Sequence, residues 1–343
     1  MQITKSDIKY LILFVLIILC KSIFSQDSHF SQQYISLMNV NPANTSNCNA
    51  DWQITNIYRT QWKNISVPFK TYFLQGEKQF YVFNKNFGGG FFLLHENSGV
   101  LKFSTTQIVL SGAYHEKINF NSFHFGFQIG YLSKALSFDA VTLPDQYDVY
   151  SGYFNSQLES GDYFSNENTN NLVLNTGFIW KKEYENVKPL VGFAIYNFNN
   201  PRYSLLESSD NVVNTRKVIH TEVEINLTKS IRTIPIIIYN NQRKASEILI
   251  GNMIKFNYKL GDELKVNDFF AGLYFRTGFD RVFDAIILSG GFEIQNLTLS
   301  LSYDYTVSSV KYINSNAGAI EIMLRYRGIY TNLDKSKRKC VRF

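Results

Sequence analysis

The sequence has few charged residues and almost no long apolar run. Only 18% of its 343 residues are charged, although 45% are hydrophobic and 16% are aromatic. The one long apolar run covers residues 10–19, whereas a helical membrane protein needs runs of about 20 apolar residues. Mean hydropathy is only −0.14, so apolar and polar residues must alternate closely along the rest of the chain.

Recognisable catalytic and metal-binding motifs are also missing. The pairs His95-Glu96 and His115-Glu116 have no second histidine at the spacing of a zinc-binding HExxH helix. No G-x-S-x-G motif of a serine hydrolase occurs. The run Gly88-Gly89-Gly90 lacks the Lys and Ser/Thr of a phosphate-binding loop. We therefore expect a non-enzymatic protein without a cofactor or a metal.

The N-terminus has the features of a secretory signal peptide. Lys5 and Lys9 precede the apolar run, and residues 22–25 form a short polar exit. Cleavage after Ser25 would start the mature chain at Gln26, and an uncleaved anchor is the alternative. Removing residues 1–25 lowers the formal net charge from +6 to +4, a mild excess that gives no support for nucleic-acid binding.

Alternation with a period of two dominates from residue 52 to residue 327. In residues 297–307 every odd position is apolar or aromatic and every even position is polar. Such a strand faces an apolar medium on one side only. We expect fourteen strands (range 12–16), near 52–60, 70–83, 88–95, 102–116, 119–132, 169–182, 188–197, 217–229, 234–240, 246–259, 267–277, 282–294, 297–307 and 316–327.

The connections indicate a transmembrane barrel. Two long links, 133–168 and 198–216, fall on one side of the predicted sheet, and mostly tight turns fall on the other, which is the outer-membrane pattern. Hydrocarbon leaves no water for unpaired backbone groups, so the sheet must close. The prediction is an all-β, antiparallel barrel in the bacterial outer membrane with both termini periplasmic. A soluble, secreted β-protein is one alternative.

Four regions follow from this pattern: a signal peptide at 1–25, an N-terminal segment at 26–51, the barrel at 52–327 and a basic periplasmic tail at 328–343. The N-terminal segment is rich in Asn, Ser and Gln and cannot form its own core. We expect it to lie inside the lumen or at the periplasmic rim, and a disordered leader is the alternative. Cys48 and Cys340 would share the oxidising periplasm, so a disulfide between them is a hypothesis.

Several segments together resemble a known family. They are Gln26-Asp27-Ser28-His29-Phe30-Ser31-Gln32-Gln33-Tyr34, Asn41-Pro42-Ala43, Tyr58-Arg59-Thr60-Gln61-Trp62, Tyr303-Asp304-Tyr305, the strand 319–326 and the ending Cys340-Val341-Arg342-Phe343. Their order resembles the PorP/SprF family of Bacteroidetes outer-membrane proteins, which is associated with type IX secretion and gliding motility. Ser28 and Val341 depart from the family pattern, in which proline is common at both positions. They leave open whether this is a general secretion component or an adhesin-specific paralogue.

The resemblance implies a barrel that contacts outer-membrane lipid, periplasmic secretion components and a secreted surface adhesin. The residues expected to bind a partner are His29, Phe30, Ser31, Gln32, Tyr34, Asn41, Pro42, Arg59 and Trp62. For Arg59 and Trp62 an aromatic girdle with a snorkelling arginine is the alternative. A general diffusion channel resembling a porin is the alternative function, because polar strand faces would also suit an open lumen.

Overall fold

The structure is a computed structural model. It describes residues 30–33, 37–65, 67–99, 102–136, 144–155, 158, 168–202, 212–243, 245–257, 266–277 and 283–329, without the side chains of 266 and 267. None of the helices in this part of the chain is long and apolar enough to cross a membrane.

Fourteen antiparallel strands form a closed barrel, in which the first strand pairs with the last. The strands are β1 (Trp52–Gln61), β2 (Phe69–Val82), β3 (Lys85–Ser98), β4 (Phe103–Ile118), β5 (Asn121–Ala135), β8 (Asn168–Lys182), β9 (Val187–Tyr196), β10 (Arg216–Asn226), β11 (Ile231–Gln242), β12 (Ala245–Asn257), β13 (Val266–Thr277), β14 (Ala285–Ile294), β15 (Leu297–Thr306) and β16 (Ala317–Gly328). The predicted fold class and strand number are confirmed. β6 (Tyr147–Asp148) and β7 (Tyr153–Phe154) form a separate hairpin between β5 and β8, which the sequence did not predict.

The two ends of the barrel differ in their connections. At one end, which we call the turn rim, pairs such as Phe83-Asn84 and Gln295-Asn296 join adjacent strands. Phe83 and Asn84 both have positive φ, at 49° and 60°, as a tight two-residue hairpin requires. The opposite end, the loop rim, carries the connections 136–167 and 197–215. Because the strand number is even, β1 begins and β16 ends at the same rim, the turn rim.

The outer wall is apolar. On β15 the side chains of Leu297, Leu299 and Leu301 are exposed, while the side chains of Ser300 and Ser302 between them are buried inside the barrel. Each of the remaining barrel strands also exposes large hydrophobic side chains. An apolar surface that extends over all the strands is unfavourable in water and suits the hydrocarbon region of a bilayer.

The inner wall is not uniformly polar. On the side of β9 to β14 it carries a cluster of buried apolar residues, among them Val218, Ile236, Leu249, Phe270 and Ile287. A second apolar cluster involves β1 to β4 and β16. Both clusters include residues from the N-terminal segment, so the interior is packed rather than lined for water.

Candidate functional site: the N-terminal segment inside the barrel

The described residues of the N-terminal segment lie within the lumen. Residues 30–33 and 37–50 contact inward-facing side chains on strands all around the barrel, from β2 through β10 to β16, and we call these residues the plug. The plug contains a one-turn helix, α1 (Leu37–Val40), and a 3-10 turn at Pro42–Asn44. Apart from Leu37, Asn47, Cys48 and the exposed Asn49, its residues are buried.

The sequence Asn-Pro-Ala-Asn-Thr builds the turn at the centre of the plug. Asn41 is the N-cap: its backbone is extended and its Oδ1 accepts a hydrogen bond from the Ala43 N–H at 2.9 Å. Pro42 occupies the first helical position, where its missing N–H is harmless. Thr45 closes the turn by donating from Oγ1 to the Pro42 carbonyl at 2.7 Å.

Asn41 also binds the turn to the wall. Its Nδ2 donates to the carbonyl oxygens of Phe178 at 3.1 Å and Phe193 at 3.2 Å, on β8 and β9. The same nitrogen lies 3.1 Å from Nε2 of His220 on β10. The amide therefore joins the plug to three adjacent strands.

Glycines in the wall make room for the plug backbone. A Cβ atom at Gly126 would lie 2.2 Å from the carbonyl carbon of Pro42, and one at Gly88 would lie 2.2 Å from the Thr45 oxygen. A Cβ atom at Gly177 would lie 2.0 Å from Oδ1 of Asn41. Real Cβ contacts are never this short, so β3, β5 and β8 together offer a groove that any other residue would close.

A group of buried charges near the loop rim holds the other end of the plug. Arg59 bonds to Glu321 at 2.5 Å and lies 3.6 Å from Asp304, while Arg276 bonds to Asp304 at 3.1 Å. We call Arg59, Arg276, Asp304 and Glu321 the loop-side charge cluster. Ser31 sits on this cluster: its Oγ donates to Asp304 at 2.6 Å and accepts from Nη1 of Arg59 at 2.5 Å.

The neighbouring residues are bound as closely. Oε1 of Gln32 accepts a 2.5 Å hydrogen bond from Ser300, and Nε2 of Gln33 donates to Glu247 at 3.0 Å. Phe30 packs edge-on against Phe73, with ring centroids 5.2 Å apart. Every plug residue from 30 to 33 is thus matched by a wall residue of suitable chemistry.

Towards the turn rim the plug rests on polar side chains of β2 and β4. The Ser46 N–H donates to Glu77 at 2.5 Å, and Gln79 donates to the carbonyls of Ser46 and Cys48 at 3.0 and 2.8 Å. His115 lies 2.9 Å from the Thr45 carbonyl, and a carbonyl can only accept, so Nε2 of His115 carries the proton.

Cys48 is half-buried at this end, with its Sγ 3.7 Å from the Ala50 carbonyl. Burial, followed by the nearby Glu77 carboxylate, raises the pKa of its thiol to about 11. The predicted bridge from Cys48 to Cys340 stays a prediction, because Cys340 lies outside the described residues.

The residues predicted to bind a partner are distributed as follows. Phe30, Ser31, Gln32, Asn41 and Pro42 are buried in the plug, and His29 and Tyr34 lie outside the described residues.

The two strand-end residues point to different places. Arg59 points into the lumen and joins the charge cluster, so its interpretation as a snorkelling residue of the girdle is wrong. Trp62 follows β1 at the loop rim and packs edge-on against Phe69. Whether any of the predicted residues binds another protein stays a prediction.

Sequence reasoning missed the wall residues that hold the plug: Asp304, Glu321, Glu247, Glu77 and Arg276. Two of them, Asp304 and Glu321, lie in segments that support the family resemblance, and this could have marked them as candidate functional residues. The register also pairs Arg59 directly with Glu321 across the β1–β16 junction. That junction is formed only when the barrel closes, so strand periodicity alone could not bring the two charges together.

A cavity of about 120 Å³ lies between the plug and the wall of β8 to β11, where Leu37, Asn44, Lys181, His220 and Glu222 border it. Within the described part of the chain, no group of three or more His, Cys, Asp and Glu residues is arranged to hold a metal ion.

Comparison with known proteins gives one family. A family model described as type IX secretion system membrane protein PorP/SprF matches residues 22–326. No curated protein matches the sequence.

Among solved structures, the toluene transporter TbuX of Ralstonia pickettii is 9% identical, with a TM-score of 0.49 and coverage of 86% of this chain and 94% of its own. The toluene transporter TodX of P. putida is 9% identical, with a TM-score of 0.44 and coverage of 85% and 93%. A bacterial polysaccharide outer membrane secretin is 11% identical, with a TM-score of 0.38 and coverage of 82% and 99%.

Proposed function

Because this chain belongs to the PorP/SprF family of type IX secretion system membrane proteins, we propose that it anchors a secreted adhesin at the cell surface and contacts periplasmic components of the secretion machinery. It is an integral outer-membrane component of that system, as its family and its closed β-barrel indicate. Anchoring, the identity of the partners and the absence of catalysis are the parts that we propose.

The observation that supports anchoring over solute passage is the plug. A diffusion channel needs a continuous aqueous path lined by polar groups. Here residues 30–33 and 37–50 occupy the lumen, and apolar plug residues such as Phe30, Met38 and Val40 are packed in the two interior clusters. A barrel whose lumen is occupied by its own plug is better suited to holding proteins at its two rims than to passing solutes.

Each rim offers a surface for a different partner. At the loop rim the hairpin β6–β7 exposes Tyr147, Tyr153 and Phe154, and its turn exposes Tyr150. Aromatic side chains on an exposed loop are favourable contacts for another protein. If the loop rim faces the outside, as long loops do in outer-membrane barrels, this hairpin meets the adhesin and the turn rim meets the periplasmic machinery.

The test compares cells that lack the protein with cells that carry it. The adhesins of the organism are quantified by surface biotinylation in the cell-surface, periplasmic and medium fractions. We expect one adhesin to move from the cell surface to the medium when the protein is absent, and to return on complementation. Accumulation of many cargo proteins in the periplasm would instead indicate a general secretion component.

A conductance measurement addresses the channel alternative. The wild-type protein in planar bilayers should show little current, and a variant without residues 30–47 should conduct. A large steady conductance of the wild-type protein, with unchanged adhesin display in cells that lack it, would contradict the proposed function and favour a diffusion channel.

A further inference from the structure

We infer that the loop-side half of the lumen is a peptide-binding site, which the chain's own Ser31-Gln32-Gln33 occupies and which accepts the same sequence from a separate peptide when that segment is displaced. The ligand class is a neutral or basic segment that forms a turn, as residues 31–33 do, and carries a hydroxyl followed by carboxamides. This inference does not rest on the proposed function.

The first element of recognition is the peptide backbone. Both oxygens of the Glu321 carboxylate accept hydrogen bonds from consecutive backbone N–H groups, from Ser31 at 2.5 Å and from Gln32 at 3.0 Å. A carboxylate that accepts two main-chain hydrogen bonds in this way forms strong, charge-assisted contacts. Consecutive N–H groups can reach one carboxylate because residues 31–33 form a turn. These contacts fix the position of the segment without reading its sequence.

The second element is side-chain recognition. The Ser31 hydroxyl is held between Asp304 and Arg59, and both halves of the Gln33 carboxamide are bound. Its nitrogen donates to Glu247 at 3.0 Å, and its oxygen accepts from Nδ2 of Asn240 at 3.2 Å. These are sequence-specific contacts, because alanine at either position could make none of them.

The site is formed by the wall rather than by the segment. Glu321 is paired with Arg59, and Asp304 with both Arg59 and Arg276, and none of these bonds passes through the plug. Apart from Arg59, which is 28 positions from Ser31, the wall residues are more than 200 positions away from the segment in the sequence. The wall can therefore hold its arrangement when the segment leaves, as a binding site must.

The charge of the site defines which peptides it accepts. Three carboxylates, on Asp304, Glu321 and Glu247, and the Arg59 guanidinium contact the segment, and the Arg276 guanidinium is bonded to Asp304. The balance favours hydrogen-bond donors and cations and disfavours an acidic side chain. Replacing Gln33 by Glu keeps the size and reverses the fit, whereas Lys at that position brings a cation to Glu247.

The experiment uses the full-length chain in detergent micelles. The variant Ser31→Asp/Gln33→Glu places two carboxylates against the wall, so its own segment should leave the site. A fluorescent peptide with the sequence of residues 28–36 should then bind with saturation, as measured by anisotropy. The wild-type chain and the control variant Ser31→Thr/Gln33→Lys, which keep their own segment in place, should bind the peptide at least tenfold more weakly.

A peptide that carries the same two acidic substitutions should bind the acidic variant at least tenfold more weakly than the wild-type peptide does. Absence of binding to every chain, or equal binding of both peptides, would overturn the inference. Should the acidic variant fail to fold by circular dichroism, hydrogen exchange of the Ser31 and Gln32 amides in the wild-type chain decides. Strong protection is expected, and exchange at the rate of a free peptide would end the idea.

Discussion

At the scale of single residues, the plug is held by groups that match it in shape as well as in polarity. Asn41 satisfies its own turn with Oδ1 and the carbonyls of two strands with Nδ2. Gly126 supplies the space into which the next residue of the turn fits. Close fit of this kind leaves no volume for an added methyl group. A methyl group added at Gly126 therefore tests the steric fit without removing a hydrogen-bonding group.

The steric contribution is tested by Gly126→Ala. The new Cβ would meet the backbone of Pro42, which cannot move without breaking the Asn41 contacts, so we expect a loss of about 1–3 kcal/mol in the free energy of unfolding. The matched control is Gly112→Ala on the neighbouring strand, where a Cβ atom meets nothing within 4 Å. Unfolding in denaturant, with the barrel in detergent, gives both values. Equal losses in the two variants would show that the plug does not press on Gly126.

At the scale of elements, the strands are the part of the structure that the sequence predicts best. On β15 the alternation of Leu297, Leu299 and Leu301 with serines follows from the two media that the strand separates. β3 is less well predicted: it was expected to begin at residue 88 but begins at Lys85, because the turn before it has only two residues. The hairpin β6–β7 was missed because its surroundings show no alternation.

The lipid-facing side of β15 gives a prediction about depth. Arginine at Leu301, near the middle of the strand, should cost roughly 2–4 kcal/mol, and arginine at Leu297, at the turn rim, about 0–1 kcal/mol. Both leucines lie on the same exposed face, so the comparison isolates depth in the bilayer. Folding into vesicles under denaturant titration measures the two values, and a cost independent of position would argue against a membrane-spanning β15.

The inward face of β15 does not provide a harmless control for arginine substitutions on the lipid-facing side. With an open lumen, arginine at Ser300 should be tolerated better than arginine at Leu299. Ser300 is in fact 1% exposed and its hydroxyl bonds to Gln32. Arginine there would collide with the plug, so a lumen position is no longer a harmless control.

At the scale of the whole molecule, the plug is what the sequence could not give in detail. Residues 26–51 have no periodicity in their sequence, and the wall, not a repeating apolar face, sets the conformation of residues 30–33 and 37–50. Their partners, such as Asp304 and Glu321, come near them only after the barrel has closed. The composition of the N-terminal segment indicates that the lumen is one place where it can lie. Its contacts with the wall cannot be predicted without the register of all fourteen strands.

The orientation of the whole barrel in the membrane gives the last prediction. An epitope inserted after Ser151, in the turn between β6 and β7, should be labelled by antibody on intact cells, because long loops of outer-membrane barrels face the outside. An epitope appended after Phe343 should be labelled only after the outer membrane is permeabilised, because an even strand number returns the chain to the turn rim. Labelling after permeabilisation serves as the control that both epitopes are accessible to antibody. Labelling of the C-terminal epitope alone on intact cells would invert the barrel, and would place Cys48 and the basic residues that follow β16 outside the cell.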